Sequence, residues 1–229
     1  THLWPAESYV ESLVAYRDLD SLRAELSAKQ EAIDARLADF RRIGHGTDEQ
    51  LFEELCFAIL AIQSSARRSD AAVKALVREG LLGSASFRDI ARFLRHRTRF
   101  HNHKAVYIVR ARECFFPKGG SLLRATLDRF PNPKEARAWL VAEVDGLGFK
   151  EASHFLRNIG RGEDLAILDR HILRNLVRHR VIGRMPRTLT PRRYLAIEAR
   201  MERFAAHVGV SLGSLDLLWW SRQTGEIFK

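Results

Sequence analysis

An all-α fold is what the sequence predicts, and three observations predict it. Apolar residues recur at three- and four-residue spacing along almost every segment, the period of a helix with one buried face. No stretch alternates apolar and polar residues long enough to make a strand; the apolar run LAIL at 165–168 is only four residues long and lies between helical patterns. Short glycine- and proline-bearing breaks at 80–86, 117–121, 161–164 and 183–191 separate the patterns.

The elements follow in order. Helical periodicity covers 6–17 and 22–40. Thr47 and Gln50 then stand three apart, a capping box that opens a helix over 51–63. Patterns at 71–78, 87–94 and 105–114 follow, and Asn132 with Pro133 supplies a cap and a first-turn proline for 134–144. The remaining helices are predicted at 151–159, 170–180, 194–208 and 215–222. There is no internal repeat and no low-complexity linker. We read residues 1–229 as a single all-helical unit of two lobes around a cleft, with no boundary assigned because chain order need not follow lobe membership. The arginine- and proline-rich stretch 184–193 is the expected connection between lobes.

Composition narrows the partner. Lys and Arg number 38 against 28 Asp and Glu, a formal charge of +10, which points first to nucleic acid; a merely solvated basic surface is the plain alternative. The two cysteines, Cys56 and Cys114, both lie in apolar runs and are expected to be buried thiols. Two cysteines cannot form a four-thiolate zinc or iron–sulfur site, and no histidine ligand spacing accompanies them, so no metal or other cofactor is expected. The longest apolar run, 55–62, is too short to cross a bilayer and no leader pattern opens the sequence, so no membrane partner and a cytoplasmic, nucleoid-associated location are expected.

The chemistry concentrates in residues 144–160, VDGLGFKEASHFLRNIG. One helix ends near Val144, a tight turn uses Gly146 and Gly148, and a second helix begins. Free amides and the dipole at such a helix start suit a phosphate oxygen, so this is a candidate helix–hairpin–helix that holds a DNA backbone; a helix pair with purely structural glycines is the alternative. Lys150 sits inside the second helix, where the dipole disfavours a cation by a few tenths to about 1 kcal/mol. Arg157 at i+7, and His154 at i+4 when protonated, add repulsion on the same face. Both effects favour the neutral amine, a nucleophile able to form a Schiff base with a sugar aldehyde carbon; a lysine that contacts a phosphate is the simpler reading. Nineteen residues on, Asp169 stands at the N-cap of the next helix, where Arg170, Arg174 and Arg178 share one face and Ile172, Leu173, Leu176 and Val177 another. Asp169 is worth about 1 kcal/mol as a cap. Beside a nucleotide its carboxylate would stabilise positive charge on the sugar and help move protons.

These stretches, GLGFKEASHFLRN and AILDRHILR, resemble the helix–hairpin–helix DNA glycosylase superfamily, and most closely the short 8-oxoguanine DNA glycosylase/AP lyases of archaea and some bacteria. LFEELCFAILAIQSSARRSDAAVKAL, RFHNHKAVYIVRAR and LDLLWWSRQTGEIFK extend the similarity over most of residues 50–229. The resemblance implies a two-lobed helical glycosylase fold with a DNA-binding cleft. It implies duplex DNA containing oxidised guanine as substrate, a monomer, and base release followed by β-elimination without a cofactor. Lys150 would attack C1′ and form the imine, and Asp169 would be the catalytic carboxylate. Phe100 and Trp220 would sandwich the base, worth about 1–3 kcal/mol of stacking. The terminal carboxylate at Lys229 would accept from the N1–H and N2–H₂ edge of the guanine, as the family's terminal lysine does. Gln63 would fill the gap left by the flipped nucleotide, and Gly146, Gly148, His154 and Arg170 would complete the DNA contacts. Two other readings stay open: a glycosylase for a different lesion, and a non-catalytic helix–hairpin–helix DNA-binding module, which accounts for the charge and the hairpin but not for Lys150 and Asp169 together.

Overall fold

The computed structural model describes residues 15–118 and 120–229. These residues form twelve helices: α1 Leu19–Gly44, α2 Asp48–Ala61, α3 Ala66–Arg78, α4 Leu81–Ser84, α5 Phe87–Leu94, α6 His101–Phe115, α7 Leu123–Asp128, α8 Pro133–Glu143, α9 Phe149–Asn158, α10 Arg170–Arg178, α11 Pro191–Val208 and α12 Leu212–Thr224. No strand occurs among the described residues, and no helix there is long and apolar enough to cross a membrane. The helix expected over 6–17 lies mostly outside the described residues; its described end, 15–17, is not helical.

Two separate apolar cores organise the chain. The first takes Leu55 and Phe57 of α2, Leu76 of α3, Ile108 of α6, Leu140 of α8 and Phe155 of α9. The second takes Leu22, Ile33 and Phe40 of α1, Leu176 of α10, Phe204 of α11 and Trp219 of α12. Helix α1 lays its stripe Leu22, Leu26, Ile33, Leu37, Phe40 into the second core, chiefly against α12, and also meets α9 and α2. The segment 184–193, expected to connect the lobes, does not: it joins α10 to α11, and both feed the second core. The chain crosses between cores before α2 and again after α9.

Local chemistry sets the helix starts. The Thr47–Gln50 capping box is formed, with Gln50 N–H donating to Thr47 Oγ1 and Thr47 N–H to Gln50 Oε1. Ser65, Thr190 and Ser211 cap α3, α11 and α12, so these helices begin earlier than 71, 194 and 215; the first turns of α3 and α11 are polar or small, while α12 opens on the buried Leu212. Helices α4 and α7 fall outside the predicted set because one or two turns are too short to display a period. Cys56 is buried, but Cys114 is exposed. On α6 the buried positions are Ala105, Ile108, Ala111 and Phe115, and Cys114 is turned about 100° from Phe115.

Candidate active site

The hairpin between α8 and α9 is held on α6. Asp145 Oδ2 accepts from Arg110 Nη1 at 2.5 Å, and Gly146, with φ +85°, lies so close to Tyr107 that a Cβ there would stand 2.4 Å from the ring. Only this glycine is required by conformation: Gly148 has φ −94° and ψ −178°, an extended geometry open to any residue, and serves as the N-cap of α9. Lys150 follows in the first turn, about a quarter exposed, with Nζ 3.9 Å from Glu151 Oε1.

The face behind Lys150 differs from expectation. His154 is buried edge-on against Phe57, ring centroids 5.2 Å apart, and burial drives its pKa well below the usual imidazole value. The ring is neutral, so it adds no repulsion to Lys150, and it is not available to contact a DNA phosphate. Arg157 is 2% exposed. Its guanidinium lies 4.7 Å from the Phe40 ring centroid, and Nη2 is 3.3 Å from Asp216 Oδ2.

Asp169 is the N-cap of α10, its Oδ1 accepting from Ile172 N–H at 2.8 Å, and Arg170 beside it is exposed. A buried polar network fixes this cap relative to α9. Glu198 of α11 accepts two bonds from Arg137 of α8, at 2.5 and 2.7 Å, and a third from Ala166 N–H at 2.9 Å. Arg137 also donates to Ser153 Oγ of α9 at 3.1 Å. Tyr194 accepts from Leu168 N–H and donates to Ala166 C=O, so the irregular apolar run 165–168 has its polar groups met by side chains of α11. Phe149, next to Lys150, packs on Tyr194.

A hollow of about 120 Å³ opens at the C-terminal end of α12, lined by Asp216, Trp220, Phe228, Lys229, Arg157 and Ser65 among others. The two tryptophans face apart, as adjacent helical positions must: Trp219 is fully buried and stacks on His179, whereas Trp220 looks into the hollow. Lys229 is anchored by its side chain, Nζ lying 2.7 Å from both Glu54 and Asp70 and 4.6 Å from the Phe57 centroid. Asp216 was not singled out from sequence, because inside LDLLWW it reads as the one polar position of an apolar helix. It is 2% exposed, and neither carboxylate oxygen has a hydrogen-bond partner. Burial raises its pKa to about 6 against the pull of Arg157; Asp169 raises it further and Lys150 lowers it. Lys150 and Asp169 do not line the hollow, yet both lie within electrostatic reach of the carboxylate that does.

Phe100 stands outside this lining. It is the half-exposed N-cap of α6, in the left-handed region at φ +55°. Gln63, also left-handed at φ +49° and exposed, follows the end of α2. It lines a second groove with Arg68, Arg95, His96, Arg97 and Arg99, and this groove shares Ser65 with the hollow. The signal for Arg95, Arg97 and Arg99 lies in the run RHRTR at 95–99, and that for Arg68 in the pair Arg67–Arg68.

A family model described as 8-oxoguanine DNA glycosylase matches residues 33–210. The chain belongs to the 8-oxoguanine DNA glycosylase family. It is 38% identical over 215 residues to the 8-oxoguanine DNA glycosylase/AP lyase of Fusobacterium nucleatum, covering 93% of this chain and 97% of the relative. It is 36% identical to the protein of the same name from Methanocaldococcus jannaschii, over 87% and 93% of the two chains. The crystal structure of the M. jannaschii glycosylase superposes with a TM-score of 0.81 at 32% identity, covering 92% of this chain and 95% of that one. The same enzyme in complex with 15mer DNA containing 8-oxoguanine also gives 0.81, covering 91% and 100% at 33% identity. The all-helical helix–hairpin–helix architecture is thus the family's own.

Proposed function

We propose that this member of the 8-oxoguanine DNA glycosylase family removes 8-oxoguanine from duplex DNA and nicks the resulting abasic strand, acting as a monomer through a Lys150 imine. The observation that carries the reading is the hollow at Trp220, with the buried carboxylate of Asp216, which faces Arg157 but accepts no hydrogen bond and feels the charges of Lys150 and Asp169. An extruded purine stacks on Trp220. Unsatisfied buried acceptors there meet ring N–H donors of the base, and 8-oxoguanine carries one more ring N–H than guanine, at N7. An acceptor left unpaired opposite guanine costs about 1–3 kcal/mol.

Chemistry then runs at the mouth of the hollow. Deprotonated Lys150 Nζ forms a bond to C1′ as the C1′–N9 bond breaks, its electron pair leaving with the base, which takes up a proton. The Asp169 carboxylate stabilises the positive charge on the sugar. Ring opening yields the imine, and loss of a C2′ proton with departure of the 3′ phosphate completes β-elimination. Gln63 occupies the gap in the stack, and the arginine groove beside it follows the backbone.

Duplexes carrying one defined lesion each, read on a denaturing gel, test the reading: a nick at 8-oxoguanine is expected. Cleavage at a different lesion instead favours another glycosylase specificity, and intact strands with tight, salt-sensitive binding favour a DNA-binding module. Because Lys229 Nζ is anchored at Glu54 and Asp70, residues appended after Lys229 must start inside the base-sized hollow. A tag there is expected to lower excision about tenfold or more, the effect of one lost buried hydrogen bond, while an N-terminal tag leaves it unchanged. The groove predicts a different phenotype. Replacing exposed Arg68 and Arg95 by Ala is expected to weaken binding to all duplexes alike and to flatten the salt dependence by about one unit of log–log slope per lost phosphate contact.

A further inference from the structure

We propose that Lys104 is a positioning residue that locks the two loops presenting Gln63 and Phe100 to the DNA. The proposal rests on the functional reading above and adds a residue to it. Lys104 lies on α6 and is 1% exposed. Its Nζ reaches Leu60 C=O at 2.8 Å, Ile62 C=O at 2.7 Å, Ser64 Oγ at 3.0 Å and Thr98 Oγ1 at 2.8 Å. Ser64 Oγ and Thr98 Oγ1 are themselves 3.0 Å apart. One amine thus grips both neighbours of Gln63 and reaches across to the loop before α6. Its own backbone N–H donates to Phe100 C=O at 3.1 Å.

Physical chemistry gives the placement a reason. Leu60 and Ile62 carry carbonyls at the C-terminal end of α2, where the helix leaves acceptors unpaired and its dipole welcomes a cation. That offsets part of the cost of burying the amine. The two loops it joins hold Gln63 and Phe100, two of the four non-glycine residues with positive φ among the described residues. Such conformations are unfavourable and persist only where surrounding contacts over-determine them. Both residues are exposed, so packing of their own side chains does not hold them. Lys104 bonds to both loops and braces the Ser64–Thr98 hydrogen bond that also joins them. It holds Gln63 and Phe100 in fixed relation before DNA arrives, and it touches neither Lys150 on α9 nor Asp169 before α10.

The test compares two reactions of the full chain. Lys104→Met is expected to slow single-turnover excision of 8-oxoguanine about a hundredfold, the scale of a misplacement near 1 Å. Strand cleavage at a preformed abasic site, which has no base to flip or stack, is expected to fall far less, by under about tenfold. Thr98→Val and Ser64→Ala each remove one leg of the grip and are expected to show the same asymmetry at smaller size, which keeps the test available if the Met variant does not fold. A 2-aminopurine placed opposite the lesion reports filling of the gap, and its fluorescence change on binding is expected to shrink in all three variants. Losses of equal size in both reactions that track the unfolding midpoint, or no loss in either, overturn the assignment. A wild-type chain inactive on both duplexes overturns the functional reading instead.

Discussion

Lys150→Gln is expected to abolish base excision and strand cleavage together, by about four orders of magnitude or more, while duplex binding changes little. The amide keeps the length and polarity of the side chain at the start of α9 but has no nucleophilic lone pair. In the proposed binding mode the phosphate contacts are spread over the hairpin and the arginine groove, so binding should not depend on one amine. Borohydride reduces an imine to a stable amine, and wild-type protein should therefore become covalently attached to lesion DNA. A covalent adduct formed by the Gln variant refutes the assignment of the nucleophile. Asp169→Asn separates two roles of the neighbouring carboxylate. Asn caps a helix about as well as Asp, so the bond to Ile172 N–H and the stability of α10 should survive. Loss of activity with an unchanged unfolding midpoint then reports the missing negative charge, whereas full activity would reduce Asp169 to a cap.

The helical signals that were legible are those written locally. Thr47 with Gln50, Asn132 before Pro133, and Asp169 before an amphipathic run each determine a helix start from a few adjacent residues, and each does so in the structure. Gly146 was legible for the same reason, since a turn with positive φ declares itself in sequence. What was not legible is pairing across the chain. The pattern of α1 shows that it has an apolar stripe but not that α12 covers it. Nothing in the sequence joins Glu54 and Asp70 to the far end of the chain, and only the fold brings the Lys229 ammonium between them. His154, expected as a DNA contact, is turned into the interior one turn beyond the partly exposed Lys150, where it packs on Phe57. Lys104 hides within a basic stretch of histidine and arginine, where a buried amine has no distinguishing mark.

The same lesson in pairing leads to the largest expected loss of stability, at Glu198. Arg137 and Glu198 are both 1% exposed, and Glu198 is the hub for Arg137 and Ala166 N–H, with Ser153 joined through the guanidinium. Glu198→Gln leaves the Arg137 cation buried beside Phe149 and Tyr194 with no counter-charge, and is expected to cost about 3–5 kcal/mol in denaturant unfolding. Replacing both partners by apolar residues of similar volume should cost much less, because no lone charge is then left in the interior. A single variant no worse than the double would show that the pair is not desolvated as its burial implies. The two variants also part company in function. The double variant removes the link from α8 and α11 to Ser153 on α9 and to Ala166 ahead of Asp169, while leaving the helices folded. Its activity should fall at temperatures where it remains native, because Lys150 and Asp169 sit on separate elements whose relation this network fixes. Displacing a nucleophile from its charge-stabilising partner by about 1 Å is enough for a hundredfold loss. A double variant with native stability and full activity would transfer that positioning role to Tyr194, which alone would still join α11 to Ala166 and Leu168.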